Sequence, residues 1–152
     1  MVVEVEGQRS APITVQVQPT APGLFSLNES GAGPAAADNY LTSQGTLNSS
    51  ANPAPIGAVM AIYATGEGQT DPPGQDGLFA TITVPKPVAP VSVTIGGVPQ
   101  TKILYAGAIP GEVPGVLQVN FVVAEHTPHG VQPIVVTIGG ASSQAGITVA
   151  IK

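Results

Sequence analysis

From Val91 onward the chain alternates. Val91, Val93 and Ile95 are apolar, Ser92 and Thr94 between them are polar, and Gly96-Gly97 follows. The same pattern returns at Ile134, Val136 and Ile138 and ends in Gly139-Gly140, so that VSVTIGG at 91 to 97 and IVVTIGG at 134 to 140 are nearly the same phrase. A period of two places one row of side chains in a core and the other in water. A glycine pair straight after such a run predicts a tight hairpin turn. In the last hairpin the row Ile134, Val136, Ile138 faces Ile147, Val149, Ile151. At roughly 1.5 to 3 kcal/mol per buried aliphatic side chain, these rows carry much of the fold's stability. Between the two phrases, Val116 to Val123 reads as the clearest single strand in the chain.

The start of the chain alternates as well. Val3 and Val5 interleave with Glu4 and Glu6, Gly7 to Ser10 supplies a turn, and Ile13, Val15 and Val17 interleave with Thr14, Gln16 and Gln18. Residues 2 to 18 therefore predict a hairpin. The alternation weakens from Pro19 to Pro55, where Pro, Gly, Asn and Ser dominate. Only short strands and long loops are expected there. Val59 to Ala64 is apolar on both sides, as in a central strand covered on each face. Gly66 to Gly77 is a loop, and Leu78 to Val84 predicts a strand with Ala80, Ile82 and Val84 on one side. Pro85, Pro87 and Pro90 keep the next link extended, because proline fixes φ and lacks the amide donor. A further strand is expected over Thr101 to Tyr105, and His126 to Gly130 reads as a turn.

Seven to nine short strands at this spacing predict an all-β fold, an antiparallel immunoglobulin-like β-sandwich with an extra N-terminal β-hairpin. The expected division is a hairpin over 1–20, a loop-rich segment over 21–56 and the sandwich over 57–152.

Composition narrows the function. Of 152 residues, 43% are hydrophobic, enough for a core, and only 9% are charged, with a net charge of −5. Arg9, Lys86, Lys102 and Lys152 are the only cations and they are scattered, so nucleic acid, which needs clustered cations, is not an expected partner. With no cysteine there is no disulfide and no thiolate site. No apolar run reaches the length of a membrane span, and Glu4, Glu6 and Arg9 interrupt any reading of the first residues as a signal peptide.

The first hairpin repeats the last. Val2 to Gly7 lies over Val135 to Gly140, Ser10 matches Ser143 and, after a one-residue gap, Ile13 to Val17 lies over Ile147 to Ile151. A two-stranded hairpin alone is marginal in water. The repeat therefore packs on its own domain, on a neighbouring module, or on another copy by strand addition. A head-to-tail contact of the last kind would grow a filament. The residues expected at such an assembly surface are Val3, Val5, Ile13, Val15, Val17, Ile147, Val149 and Ile151.

Five stretches occur in fixed order: APGLFSLNESGAGPAAADNY, LNSSANPAPIGAVMAIYATGEGQTDPP, PVSVTIGG, KILYAGAIPGEVPGVLQVNFVV and VVTIGGASSQAGITVAIK. Together, over about Ala21 to Lys152, they resemble the C-terminal domain of a group of uncharacterised acidobacterial proteins of the Solibacter type, which are predicted to be exported. The opening hairpin resembles what usually precedes that domain. The resemblance implies an extracellular or cell-surface, immunoglobulin-like module and assigns no catalytic residue.

Candidate chemistry is sparse. Glu125, His126 and His129 share one turn, but a zinc site needs three or four converging ligands. Glu67, Asp71 and Asp76, with Gln69 and Gln75, offer hard oxygen ligands for Ca²⁺ in a spacing unlike an EF-hand, with Pro72-Pro73 intervening. Ser49-Ser50 and Ser142-Ser143 have no general base placed beside them. Asn28-Glu29-Ser30 and Asn48-Ser49-Ser50 fit the N-glycosylation pattern. Tyr40, Tyr63 and Tyr105 are candidates for a sugar-stacking platform. The expectation is a non-catalytic extracellular structural subunit without a cofactor, self-assembling as a filament or set in a cell surface. Its partners are copies of itself or neighbouring modules. The alternative is a carbohydrate-binding or adhesive module of a secreted protein.

Overall fold

The structure, a computed structural model, describes residues 1–75, 77–80 and 83–152. These contain no helix and sixteen short strands. In chain order they are β1 (Glu4–Val5), β2 (Gln8–Arg9), β3 (Gly23–Leu24), β4 (Gly33–Pro34), β5 (Ala37–Tyr40), β6 (Thr46–Leu47), β7 (Val59–Thr65) and β8 (Thr70–Asp71). They continue as β9 (Lys86–Pro87), β10 (Val91–Ile95), β11 (Val98–Pro99), β12 (Ile103–Ala108), β13 (Leu117–Val122), β14 (Gly130–Ile138), β15 (Ala141–Ser142) and β16 (Ile147–Ile151).

Two six-stranded sheets form an open sandwich. One runs β12-β13-β7-β5-β6, with β3 added at the end of β7; the other runs β11-β10-β14-β16-β4, with β15 added to β14. All strand pairings are antiparallel except β4 beside β16, and the isolated bridge Ala54↔Ile151 is parallel as well. The apolar rows read from the alternation meet between the sheets. Met60, Ile62, Leu117, Val119 and Phe121 from one side share a single buried cluster with Val93, Ile95, Ile134, Val136, Ile138, Ile147, Val149 and Ile151 from the other. β14 is the hinge of the second sheet. Its first half pairs with β16 (Gly130↔Ile151 to Pro133↔Thr148) and its second half with β10 (Ile134↔Ile95 to Ile138↔Val91).

The segment 21–56 joins the sandwich. β3 and β5 pair with β7, β4 lines β16, and Leu24, Ala35, Ala37 and Ala54 are in the core. Its weak alternation has a physical cause, since small alanines and polar side chains do the work of larger apolar ones. Asn48, 3% exposed, donates from Nδ2 to the carbonyl of Ala150 and accepts from its amide at Oδ1, at 2.9 and 2.8 Å. It also donates to Asn39 Oδ1 at 2.9 Å, and Asn39 donates to the carbonyl of Asn52. Gln144 brackets Leu24 in the same way, accepting from its amide and donating to its carbonyl.

Three expectations change. The strand over Leu78 to Val84 does not form at Leu78 to Ala80 or at Thr83 and Val84, while Ile82 lies outside the described residues. Ala80 instead docks on the turn that follows β12, accepting from Gly111 and donating to Glu112. The strand expected over Thr101 to Tyr105 shifts to Ile103–Ala108 with a bulge between Ile103 and Tyr105. Gln100, just before it, is used as a clamp between β11, Ala124 and Thr127. The first turn is Glu6-Gly7 rather than Gly7 to Ser10.

Candidate functional site

From Met1 to Ile13 the N-terminal hairpin repeats the backbone pairing of the closing one. Glu6 and Gly7 both have positive φ, 50° and 78°, as a two-residue type I′ turn requires. Glycine accepts that region freely, and Glu6 is one of only two non-glycine residues in it among those described. The pairs Val5↔Gln8 and Glu4↔Arg9 flank the turn. Beyond them Ser10 N donates to Val3 O at 2.9 Å, while Val3 N donates to Ser10 Oγ at 3.1 Å.

In the closing hairpin Gly139 and Gly140 have φ of 58° and 91°, and Ile138↔Ala141 and Thr137↔Ser142 flank them. Ser143 N donates to Val136 O at 2.8 Å, and Val136 N donates to Ser143 Oγ at 3.1 Å. One step along the ladder from Pro133↔Thr148 brings Ile134 opposite Ile147. Met1 and Ile13 take those two places, with Ile13 N donating to Met1 O at 2.9 Å. The β10–β11 hairpin shares the glycine turn and the Gln100 N to Val93 O bond, but Gln100 sends its side chain elsewhere.

The surroundings are opposite. Ile134, Val136, Ile138, Ile147, Val149 and Ile151 are 0–2% exposed, whereas Met1, Val3, Val5, Ile13, Val15 and Val17 are 48–88% exposed. Glu4 and Arg9 alternate with the aliphatic row and pair with each other, Arg9 Nε meeting Glu4 Oε2 at 2.7 Å, while the Met1 ammonium donates to Ile13 O at 2.6 Å. Thr14 to Gln18 make no backbone hydrogen bond among the described residues.

The expected assembly residues thus divide. Val3, Val5, Ile13, Val15 and Val17 are accessible. Ile147, Val149 and Ile151 are core residues, and the edge of β16 is closed. The amide of Ala35 donates to Thr148 O, that of Ala54 to Ala150 O, and that of Lys152 to Ala54 O.

A second feature is the outer side of the first sheet. Tyr105, Asn120, Ala61 and Asp38 stand directly opposite one another on β12, β13, β7 and β5, hence on one side of the sheet. Gln118, Tyr63 and Tyr40, each two residues along its strand, share that side. Tyr63 Oη donates to Asp38 Oδ2 at 3.0 Å, and Gln118 Nε2 to Asn120 Oδ1 at 2.8 Å. The Tyr63 hydroxyl is pushed far above its usual titration range, by burial first and then by the Asp38 carboxylate. Burial also raises Tyr105, whose hydroxyl donates to Ala108 O. The three tyrosines are half-buried.

Other candidates separate. His126 and His129 are exposed on a turn whose buried Thr127 binds Gln100. Of the residues behind the calcium expectation, Asp71, Gln69 and Gln75 are exposed, Glu67 is buried, and Asp76 lies outside the described residues. Glu67 is 5% exposed, Oε2 has no partner among the described residues, and burial raises its carboxyl above the usual range. No group of three metal-ligating side chains converges among the described residues. Ser143 is spent on Val136, and Ser49 accepts from the amide of Asn52. Asn48, read as a glycosylation acceptor, is an interior clamp, whereas Asn28 is exposed. The clamping role of Asn39, Asn48, Gln100 and Gln144 has no signal in the sequence. Amide side chains in a loop-rich segment look the same whether they face water or the backbone. No helix among the described residues is long and apolar enough to cross a membrane. No protein-family model matches the chain, and no curated protein or solved structure matches it.

Proposed function

We propose that the protein is a non-catalytic, extracellular, immunoglobulin-like structural module of a cell surface, which joins to copies of itself through its N-terminal hairpin. The observation that carries this reading is the repeated hairpin, whose six aliphatic positions are buried in one copy and bare in the other. Exposed aliphatic side chains concentrated in one stretch mark an interaction site. The low charge and the resemblance to C-terminal domains of exported acidobacterial proteins support the location. Sedimentation equilibrium over a wide concentration range tests the association. A mass that rises with concentration is expected, and a strict monomer throughout overturns the reading.

A second reading, carbohydrate binding, is favoured by one observation: all three tyrosines share the outer side of one sheet with Asp38, Gln118 and Asn120. Aromatic faces beside amides and a carboxylate suit a saccharide, which offers both C–H faces and hydroxyls. Binding on a glycan array that is lost in Tyr40→Ala or Tyr105→Ala is expected on this reading. An array on which the unaltered chain binds nothing removes it.

A further inference from the structure

We infer that the partner of the N-terminal hairpin is the same hairpin of a second copy, the two aliphatic faces packing on each other across a two-fold axis. This rests on the self-association proposed above and names the surface that carries it. The repeat shows what such a face covers. In the closing hairpin the six equivalent positions lie in one cluster with Met60, Ile62, Leu117, Val119 and Phe121, the inner row of a facing sheet. The face is therefore built to meet a β-layer of aliphatic side chains about 10 Å away.

A second copy can offer that layer in two places, and one is already taken. Its own sandwich interior is filled by Ile134, Val136, Ile138, Ile147, Val149 and Ile151, which are buried, and the edge of β16 away from β14 is closed by Ala35 and Ala54. Its hairpin face is free. Among the described residues, seven of the seventeen exposed large hydrophobic side chains fall within residues 1 to 17, and the rest are dispersed along the body. Glu4 and Arg9 pair with each other off the aliphatic row, and the Met1 ammonium is held on the Ile13 carbonyl at 2.6 Å, so like faces meet with these charges already partnered. Desolvating an unpaired charge is what usually prevents a surface from meeting itself. Two hairpins so joined make a four-stranded, two-layer unit, past the point at which a lone hairpin is marginal. A contact between identical surfaces closes at two, so this one yields pairs.

The chain has no cysteine, so a nitroxide attached at a single introduced cysteine reports one position. Four proteins decide the matter: the unaltered chain, the double variant Val3→Thr with Val15→Thr, the chain labelled at Ile13→Cys and, as a control on the body, the chain labelled at Val131→Cys. Sedimentation of the unaltered chain is expected to stop at twice the monomer mass. The double variant is expected to pair about tenfold or more weakly while its body melts at an unchanged temperature. The Ile13 labels should lie close together between copies and the Val131 labels should not. Association that persists in the double variant, masses that climb past two, or distant Ile13 labels overturn the face-to-face contact and leave self-association standing. A chain that stays monomeric at every concentration overturns both.

Discussion

Two buried polar side chains do opposite things to this fold. Asn48 satisfies both backbone groups of Ala150, 102 residues away, and one oxygen of Asn39. Asn48→Ala leaves those groups buried and unpaired, at roughly 1 to 3 kcal/mol for each group left so. The expected loss is about 3 kcal/mol in urea melts. Asn48→Asp should be nearly as costly, because a carboxylate accepts from the Ala150 amide but cannot donate to its carbonyl. Glu67 is a burden instead, with an oxygen that has no partner among the described residues and a carboxyl whose titration is raised by burial. The folded chain therefore holds the Glu67 proton more tightly than the unfolded chain does. Its contribution is complete below the ordinary glutamate range and is lost as pH rises through the raised value. Glu67→Gln is expected to melt with the parent at pH 4 and above it at pH 8. Equal melting temperatures at both pH values would show that the carboxylate reaches water.

At the scale of elements, the first and last hairpins form a matched pair in which backbone geometry is constant and environment differs. Ser143→Ala removes a bond to the buried Val136 amide and should cost about 1 kcal/mol of global stability. Ser10→Ala removes the same bond from an exposed hairpin and should leave the body's melting unchanged. The cost of Ile138→Thr, which places a hydroxyl in the core, and the absence of one for Val5→Thr should follow the same division. Calorimetry on dilute samples, where association is minimal, reads all four. This pair was legible in the sequence because a period of two and a two-residue turn leave few registers. The rows at 91 to 95, 117 to 121, 134 to 138 and 147 to 151 were legible for the same reason. What escaped were pieces whose structure is set by distant partners. β3 to β6 are only two to four residues long, too short to show a period, and β3 and β5 are held by Gln144 and Asn48. Ala80 belongs to an apparent strand whose described part was recruited by the turn at Gly111. The alternation at Ile147 to Ile151 showed a strand, but not that Gly33 to Ala35 and Ala54 would close its edge.

For the whole molecule, the question is whether residues 1 to 18 belong to the cooperative unit. The link is short and well anchored just after them. Thr20 Oγ1 donates to Ile138 O at 2.7 Å and the Ala21 amide to Gly66 O at 2.9 Å. Gly66 permits that approach, since a Cβ there would stand 1.9 Å from the Ala21 carbonyl oxygen. The hydrogen bonds between this arm and the body thus begin at Thr20 and Ala21 among the described residues, and a chain cut after Gln18 keeps them. Removing the hairpin is expected to change the stability of the body by no more than about 0.5 kcal/mol, the range of surface changes away from structural features. The same cut should abolish the concentration dependence of mass, and the unaltered chain should show its strongest association in sulfate. An apolar contact strengthens in such a salt, whereas one held by exposed ion pairs weakens as salt screens them. If the shortened chain melts several degrees lower, the hairpin is covered by its own body, and its resemblance to the closing hairpin records shared geometry rather than a shared need for a partner.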